Sequence, residues 1–181
     1  MKNTLTSIAI AAAALGAVSA SQAQIYLGAG LGPSKIDINC AGAGTCDTSD
    51  VGFKLYGGWN LPGPFALEAV YFDWGKASRV GGTATALSTE AFGLGIGGAY
   101  FINFGWGQCA VRAGIVGNRA KTTTVGSASH NFTSPFVGGG CAYPIAPQWW
   151  ITGEGDFSRI KYTPSDKANT QLFTLGVRHH F

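Results

Sequence analysis

Large apolar and polar side chains alternate residue by residue along most of the chain, from Ile25 to the final Phe181. A period of two is the mark of a strand with two unlike faces. The pattern predicts strands at 25–32 (with an extension to 37), 51–59, 65–74, 91–101, 106–117, 132–143, 148–160 and 170–181, with no helical period between them. The joining segments alternate in character. Those near 60–64, 102–105 and 144–147 are short, with Pro and Gly where tight turns need them. Those near 39–50, 75–88, 118–131 and 161–169 are longer and polar. The expectation is an all-β chain, an eight-stranded antiparallel up-and-down barrel with both termini at the short-turn end.

Which face is apolar decides what kind of barrel it is. In the second predicted strand Phe53, Leu55 and Trp59 alternate against Lys54 and Tyr56, and in the third Phe65, Leu67 and Tyr71 oppose Glu68. Further along, Val111, Ala113 and Ile115 oppose Gln108 and Arg112, and Trp149, Ile151 and Phe157 oppose Glu154, Asp156 and Ser158. In the last strand Phe173, Leu175, Val177 and Phe181 oppose Thr174, Arg178 and His180. One face is lipid-like, and the other carries Lys54, Glu68, Arg112, Glu154, Asp156 and Arg178. A transmembrane barrel turns the apolar face outward, so the charges pair inside, where unpaired they would be costly. An interior of this width is a closed polar core, and an open diffusion channel is disfavoured. A secreted lipocalin-like carrier, apolar inside, is the soluble rival.

Aromatic residues fit a membrane. Trp59, Phe65, Tyr100, Trp106, Tyr143, Trp149 and Phe181 fall near the short-turn ends, where a periplasmic girdle would lie. Tyr71, Phe132, Phe136, Phe157 and Tyr162 are candidates for the opposite belt. Phe72, Trp74 and Phe101 have the inner parity, which leaves them either beyond the apolar band or shifted by a bulge.

The start of the chain reinforces the picture. Lys2, the small apolar run "LTSIAIAAAALGAVSA" and "SQA" before Gln24 read as an export signal, residues 1–23, with the barrel domain at 24–181. Of the 12 Lys and Arg and 9 Asp and Glu, only Lys2 lies in that segment. The near-neutral remainder gives no reason to expect nucleic acid as a partner. Export also places the four cysteines in an oxidising compartment. Cys40 and Cys46 flank the first long connection, while Cys109 and Cys141 are equidistant from the middle of the third. That placement favours the pairs 40–46 and 109–141 as structural staples.

Taken together, the eight alternating segments, "FALEAVYFDWG" after a tight turn, "QWWITGEGDFSRI" and the terminal "LFTLGVRHHF" resemble the small eight-stranded outer-membrane barrels that include the OmpA transmembrane domain and related surface proteins. The resemblance implies an outer-membrane, monomeric barrel in contact with membrane lipids and lipopolysaccharide. It also implies recognition of the last strand by the barrel-assembly machinery, although His179 stands where a hydrophobic residue is usual. A structural role with surface interactions through the outer loops is the leading expectation.

A lipid A-modifying enzyme is the alternative class, and the sequence offers it little. A serine hydrolase needs a nucleophile, a histidine in reach and a group to orient it. Ser158 shares a face with Asp156, but His130 lies in the third long connection, and His179 and His180 end the chain on opposite faces. Gly93, Gly95 and Gly98 satisfy G-x-G-x-x-G inside a strand, where no phosphate-binding helix follows. No catalytic, cofactor-binding or metal-binding residue is assigned, and no cofactor is expected. Lys76, Arg79, Arg119, Lys121, Arg159, Lys161 and Lys167, near the long-loop ends, are the candidates for lipopolysaccharide phosphates.

Overall fold

The computed structural model describes residues 25–82, 86–123, 127–163 and 166–181. The export segment read at residues 1–23 lies outside them. The strands are β1 (Ile25–Ile36), β2 (Ala43–Asp47), β3 (Ser49–Asn60), β4 (Phe65–Gly82), β5 (Leu87–Phe104), β6 (Gly107–Thr123), β7 (Ser127–Pro144), β8 (Trp149–Lys161) and β9 (Lys167–His180). Eight of them are the long staves of the expected barrel, each antiparallel to its neighbours. The barrel closes where β1 pairs with β9, from Tyr26↔His180 to Ile36↔Thr170. The ninth, β2, is a short strand in the first long connection, laid against the outer end of β4 through Thr45↔Val80 and Cys46↔Arg79.

The long connections are shorter than the hydropathy pattern indicates. β4 and β5 stay paired out to Arg79↔Leu87, and β6 and β7 out to Thr123↔Ser127. The apolar alternation stops where the apolar band stops, but the ladder continues through polar Ser, Thr and Lys residues. Strands do not need an apolar face to extend once the register is set. A bulge between Asp73 and Lys76 re-aims β4 at that boundary. Gly75 sits there with φ 72°, its N–H bonded to Asp73 Oδ1 at 2.9 Å, the backbone setting in which a bulge favours Gly.

Side chains fill the barrel, as its width requires. Two of the glycines on the inward parity make room for large partners. A Cβ on Gly58 would lie 2.1 Å from the ring of Tyr26, and one on Gly28 would lie 2.2 Å from the ring of Tyr56. Phe72, Trp74 and Phe101 are interior, correcting both placements offered for them. Phe136 and Tyr162, expected in the outer belt, are interior as well. The outer half of the lumen is packed with apolar groups: Phe72 stacks on Trp74 at 4.5 Å and meets Phe136 edge-on at 5.5 Å. Inner parity therefore does not mean polar here.

Both disulfides join the favoured pairs, Cys40–Cys46 and Cys109–Cys141. Cys109 and Cys141 are direct register partners on β6 and β7. The first staple closes the β1–β2 connection.

Candidate functional site

The six ionisable residues assigned to one face all lie inside the barrel and are almost wholly buried. β3 supplies Lys54, β4 Glu68, β6 Arg112, and β8 both Glu154 and Asp156. Strand parity alone aims them at the axis, and the closed sheet brings five of them together. Lys54 Nζ lies 2.6 Å from both Glu154 Oε2 and Asp156 Oδ2. Arg112 reaches Glu68 Oε2 through Nε and Glu154 Oε1 through Nη2, each at 2.9 Å. Two tyrosines complete the cluster: Tyr26 donates to Glu68 Oε1 at 2.6 Å, and Tyr56 to Glu154 Oε1 at 2.9 Å.

The sixth residue, Arg178, stands nearer the short-turn end. It donates to Gln108 Oε1 at 2.8 Å, and its guanidinium lies 5.3–5.5 Å from the ring centroids of Trp150, Phe101 and Tyr26. Three cations thus balance three carboxylates in the lumen. Tyr26 was not singled out in the sequence, and its place on the inward parity of the first strand was the available signal.

Above the charged layer come the packed aromatics and then a hydroxyl and amide layer. Trp74 donates through Nε1 to Asn118 Oδ1 at 3.0 Å, and Ser34 donates to the Trp74 carbonyl. Ser158 shares Asp156's face as expected. Its Oγ donates to the Pro135 carbonyl at 3.0 Å and lies 3.0 Å from Ser134 Oγ. His180 is at the far end of the lumen against Tyr26 and Trp150. His179 is on the outer surface between Trp149 and Phe181, ring centroids 4.5 and 4.6 Å away. Stacking by its aromatic ring is how His179 fills an outward position usually given to a hydrophobic residue.

The outer wall is apolar from Leu27 and Leu31 around to Leu175, Val177 and Phe181. Trp59, Phe65, Tyr100, Trp106, Tyr143, Trp149 and Phe181 are all exposed at the short-turn end, where they form the predicted girdle.

Among the described residues, every Lys, Arg, Asp and Glu outside the lumen lies at the opposite end. The signs are unevenly spread. Lys35, Lys76 and Arg79 share the β1–β5 side with Asp37, Asp47, Asp50, Asp73 and Glu90. The β6–β9 side carries Arg119, Lys121, Arg159, Lys161 and Lys167 with one described acid, Asp166, and Lys121 stands across the register from Glu90 of β5. Most of the acids are engaged locally. Asp50 accepts from the Val51 and Lys76 amides at 2.8 Å, Asp47 from the Ser49 amide at 3.1 Å, and Asp166 from the Thr163 hydroxyl at 2.8 Å. Asp37 pairs with Lys35 at 3.0 Å, and Glu90 lies 3.8 Å from Lys76.

A closed antiparallel barrel with an apolar exterior, an aromatic girdle and a charged, ion-paired lumen is the architecture of an integral outer-membrane protein. The chain matches the family described as outer membrane protein beta-barrel domain over residues 5–181, and it belongs to that family. No curated protein matches it by sequence.

Among solved structures, it is similar in fold to Neisserial surface protein A, with a TM-score of 0.63 and 15% identity over 87% of this chain and 97% of the other. The attachment invasion locus protein Ail of Yersinia pestis gives 0.58 and 16% over 89% and 100%. The N-terminal barrel of Pseudomonas aeruginosa OprF gives 0.55 and 12% over 87% and 98%. Short turns mark the periplasmic end of such a barrel; Ile25 and Phe181 lie at that end, and the unevenly charged rim at the other.

Proposed function

We propose that the protein is a closed, monomeric, non-enzymatic surface barrel whose basic outer rim holds anionic groups of the outer leaflet, those of lipopolysaccharide first. The observation that carries this reading is the distribution of charge. In the lumen three cations balance three carboxylates and five of the six are joined in salt bridges, whereas five cations on the β6–β9 side of the rim have no salt-bridge partner among the described residues. Charge-assisted contacts to phosphate or sulfate are what such a surface offers. A complex of Ail with the heparin analogue sucrose octasulfate, in a similar fold, supports a polyanion as the ligand class.

The test has two readouts. Purified barrel should bind sucrose octasulfate in a salt-dependent way, and changing Arg119, Lys121, Arg159, Lys161 and Lys167 together to Gln should abolish binding without loss of the folded form. Expression in an outer membrane should leave the mass of lipid A unchanged. A mass shift, or undiminished binding by the Gln variant, would overturn the reading.

We also assign the last strand to the assembly machinery. Phe173, Leu175, Val177 and Phe181 are outward and exposed, and the Phe181 amide bonds to the Ile25 carbonyl at 3.1 Å. Deleting Phe181 should cut the folded, heat-modifiable form in cells severalfold while leaving refolding of purified protein into detergent nearly intact. Equal losses in both settings would make Phe181 a stability residue instead.

A further inference from the structure

The wall has an open seam between β7 and β8. β7 and β8 are paired from Pro144↔Trp150 up to Val137↔Phe157, and no register pairs continue beyond that point. β7 nevertheless runs on to Ser127 against β6, and β8 to Lys161 against β9. Pro135 has no N–H for the next rung. Side chains replace the ladder: Asn118 Nδ2 and Ser134 Oγ donate to the Arg159 carbonyl at 2.9 and 2.8 Å, and Ser158 Oγ to the Pro135 carbonyl.

A groove of about 590 Å³ occupies the seam. Pro135, Val137 and Phe157 wall it on the membrane side. Thr170 lines it, and its buried Oγ1 has no hydrogen-bond partner. Arg159 and Lys167 stand at its outer lip. Among the described residues the Arg159 guanidinium bonds only the neutral Asn169 Oδ1, at 3.1 Å, and Lys167 Nζ lies 4.8 Å from the Phe132 ring centroid. Apolar walls at membrane depth, an orphaned hydroxyl and two cations at the headgroup end are the complement of an anionic amphiphile.

We infer that the β7–β8 seam is a binding site for a phosphorylated glycolipid of the lipid A type, with an acyl chain against Pro135, Val137 and Phe157 and a phosphate at Arg159 and Lys167. The inference rests on the rim reading above and narrows it to one place and one ligand. It commits to the outer-leaflet glycolipid because the groove opens at the outer end of the barrel, on the cation-rich side of the rim.

The test uses the full barrel in phosphatidylcholine nanodiscs doped with lipid A, with dephosphorylated lipid A or with phosphatidylglycerol, and native mass spectrometry reads the lipid retained. Lipid A should be retained over both others. Arg159→Gln with Lys167→Gln should lower retention about tenfold or more, and Val137→Trp, at an exposed outward position, should do the same by filling the groove. Val137→Trp should leave sucrose octasulfate binding unchanged. Arg119→Gln with Lys121→Gln, the same charge loss on β6 beside the seam, should change retention less than about twofold.

Equal losses from both double variants would overturn the seam site and leave a diffuse rim attraction standing. Retention of phosphatidylglycerol as strong as that of lipid A would overturn the glycolipid assignment. Failure to retain lipid A while sucrose octasulfate still binds would sink the groove alone, and failure of both would sink the rim reading with it.

Discussion

Arg112→Met is expected to lower the stability of the folded barrel by about 3–5 kcal/mol, the usual cost of removing one partner from a buried ion pair. Arg112 is the sole cation within salt-bridge distance of Glu68 among the described residues, and it shares Glu154 with Lys54. Without it, Glu68 keeps the Tyr26 hydroxyl and no positive charge, in a lumen sealed from the outside by Phe72, Trp74 and Phe136. The measurement is the urea midpoint of the folded, heat-modifiable form in detergent.

A compensated variant sharpens the test. Glu68→Gln together with Arg112→Met keeps the lumen balanced and should recover most of the loss, because a carboxylate stranded in low dielectric is what makes the single change expensive. By contrast, Lys76→Met breaks an exposed, long contact to Glu90 and should cost less than about 1 kcal/mol. If Arg112→Met and Lys76→Met shift the midpoint equally, the lumenal network is solvated and contributes no more than a surface pair.

That network shows how much of the site strand periodicity can reveal. Parity identified Lys54, Glu68, Arg112, Glu154, Asp156 and Arg178 as one face, and closing the sheet was enough to bring their charges together. Which cation meets which carboxylate was not legible, since it depends on the stagger between strands, for example Tyr56↔Val70 beside Gly97↔Glu68. The apolar plug was misread for a related reason. Phe72, Trp74 and Phe136 have inward parity, but an expectation of a polar lumen puts Phe136 in the outer belt and leaves Phe72 and Trp74 beyond the apolar band or shifted by a bulge, although a lumen too narrow for a channel accepts any side chain that packs. Strand ends were hidden because hydropathy tracks the membrane and not the hydrogen-bond ladder. The seam was least legible of all: Pro135 marks it, yet a proline in a strand does not say how far the unpaired stretch extends.

Leu94→Arg carries the inside-out assignment itself, and its expected cost is about 2–4 kcal/mol, the range for Arg at the midplane of a membrane barrel. Leu94 is 68% exposed and sits between Tyr71 and Gly117 in the register, well inside the apolar band. In a soluble barrel an exposed leucine on a strand surface can be replaced within about 0.5 kcal/mol. The two architectures therefore predict opposite results from one substitution.

Depth provides the control. Val51→Arg, equally exposed at 66% but paired with Pro33 near the charged rim, should cost about 0–1 kcal/mol, because the penalty falls toward the interface. Unfolding from bilayers should show the difference between the two sites, and transfer to detergent should shrink it, since micelles let a long arginine side chain reach water more readily. A Leu94→Arg barrel as stable in bilayers as Val51→Arg would mean that the apolar wall does not face lipid at that height.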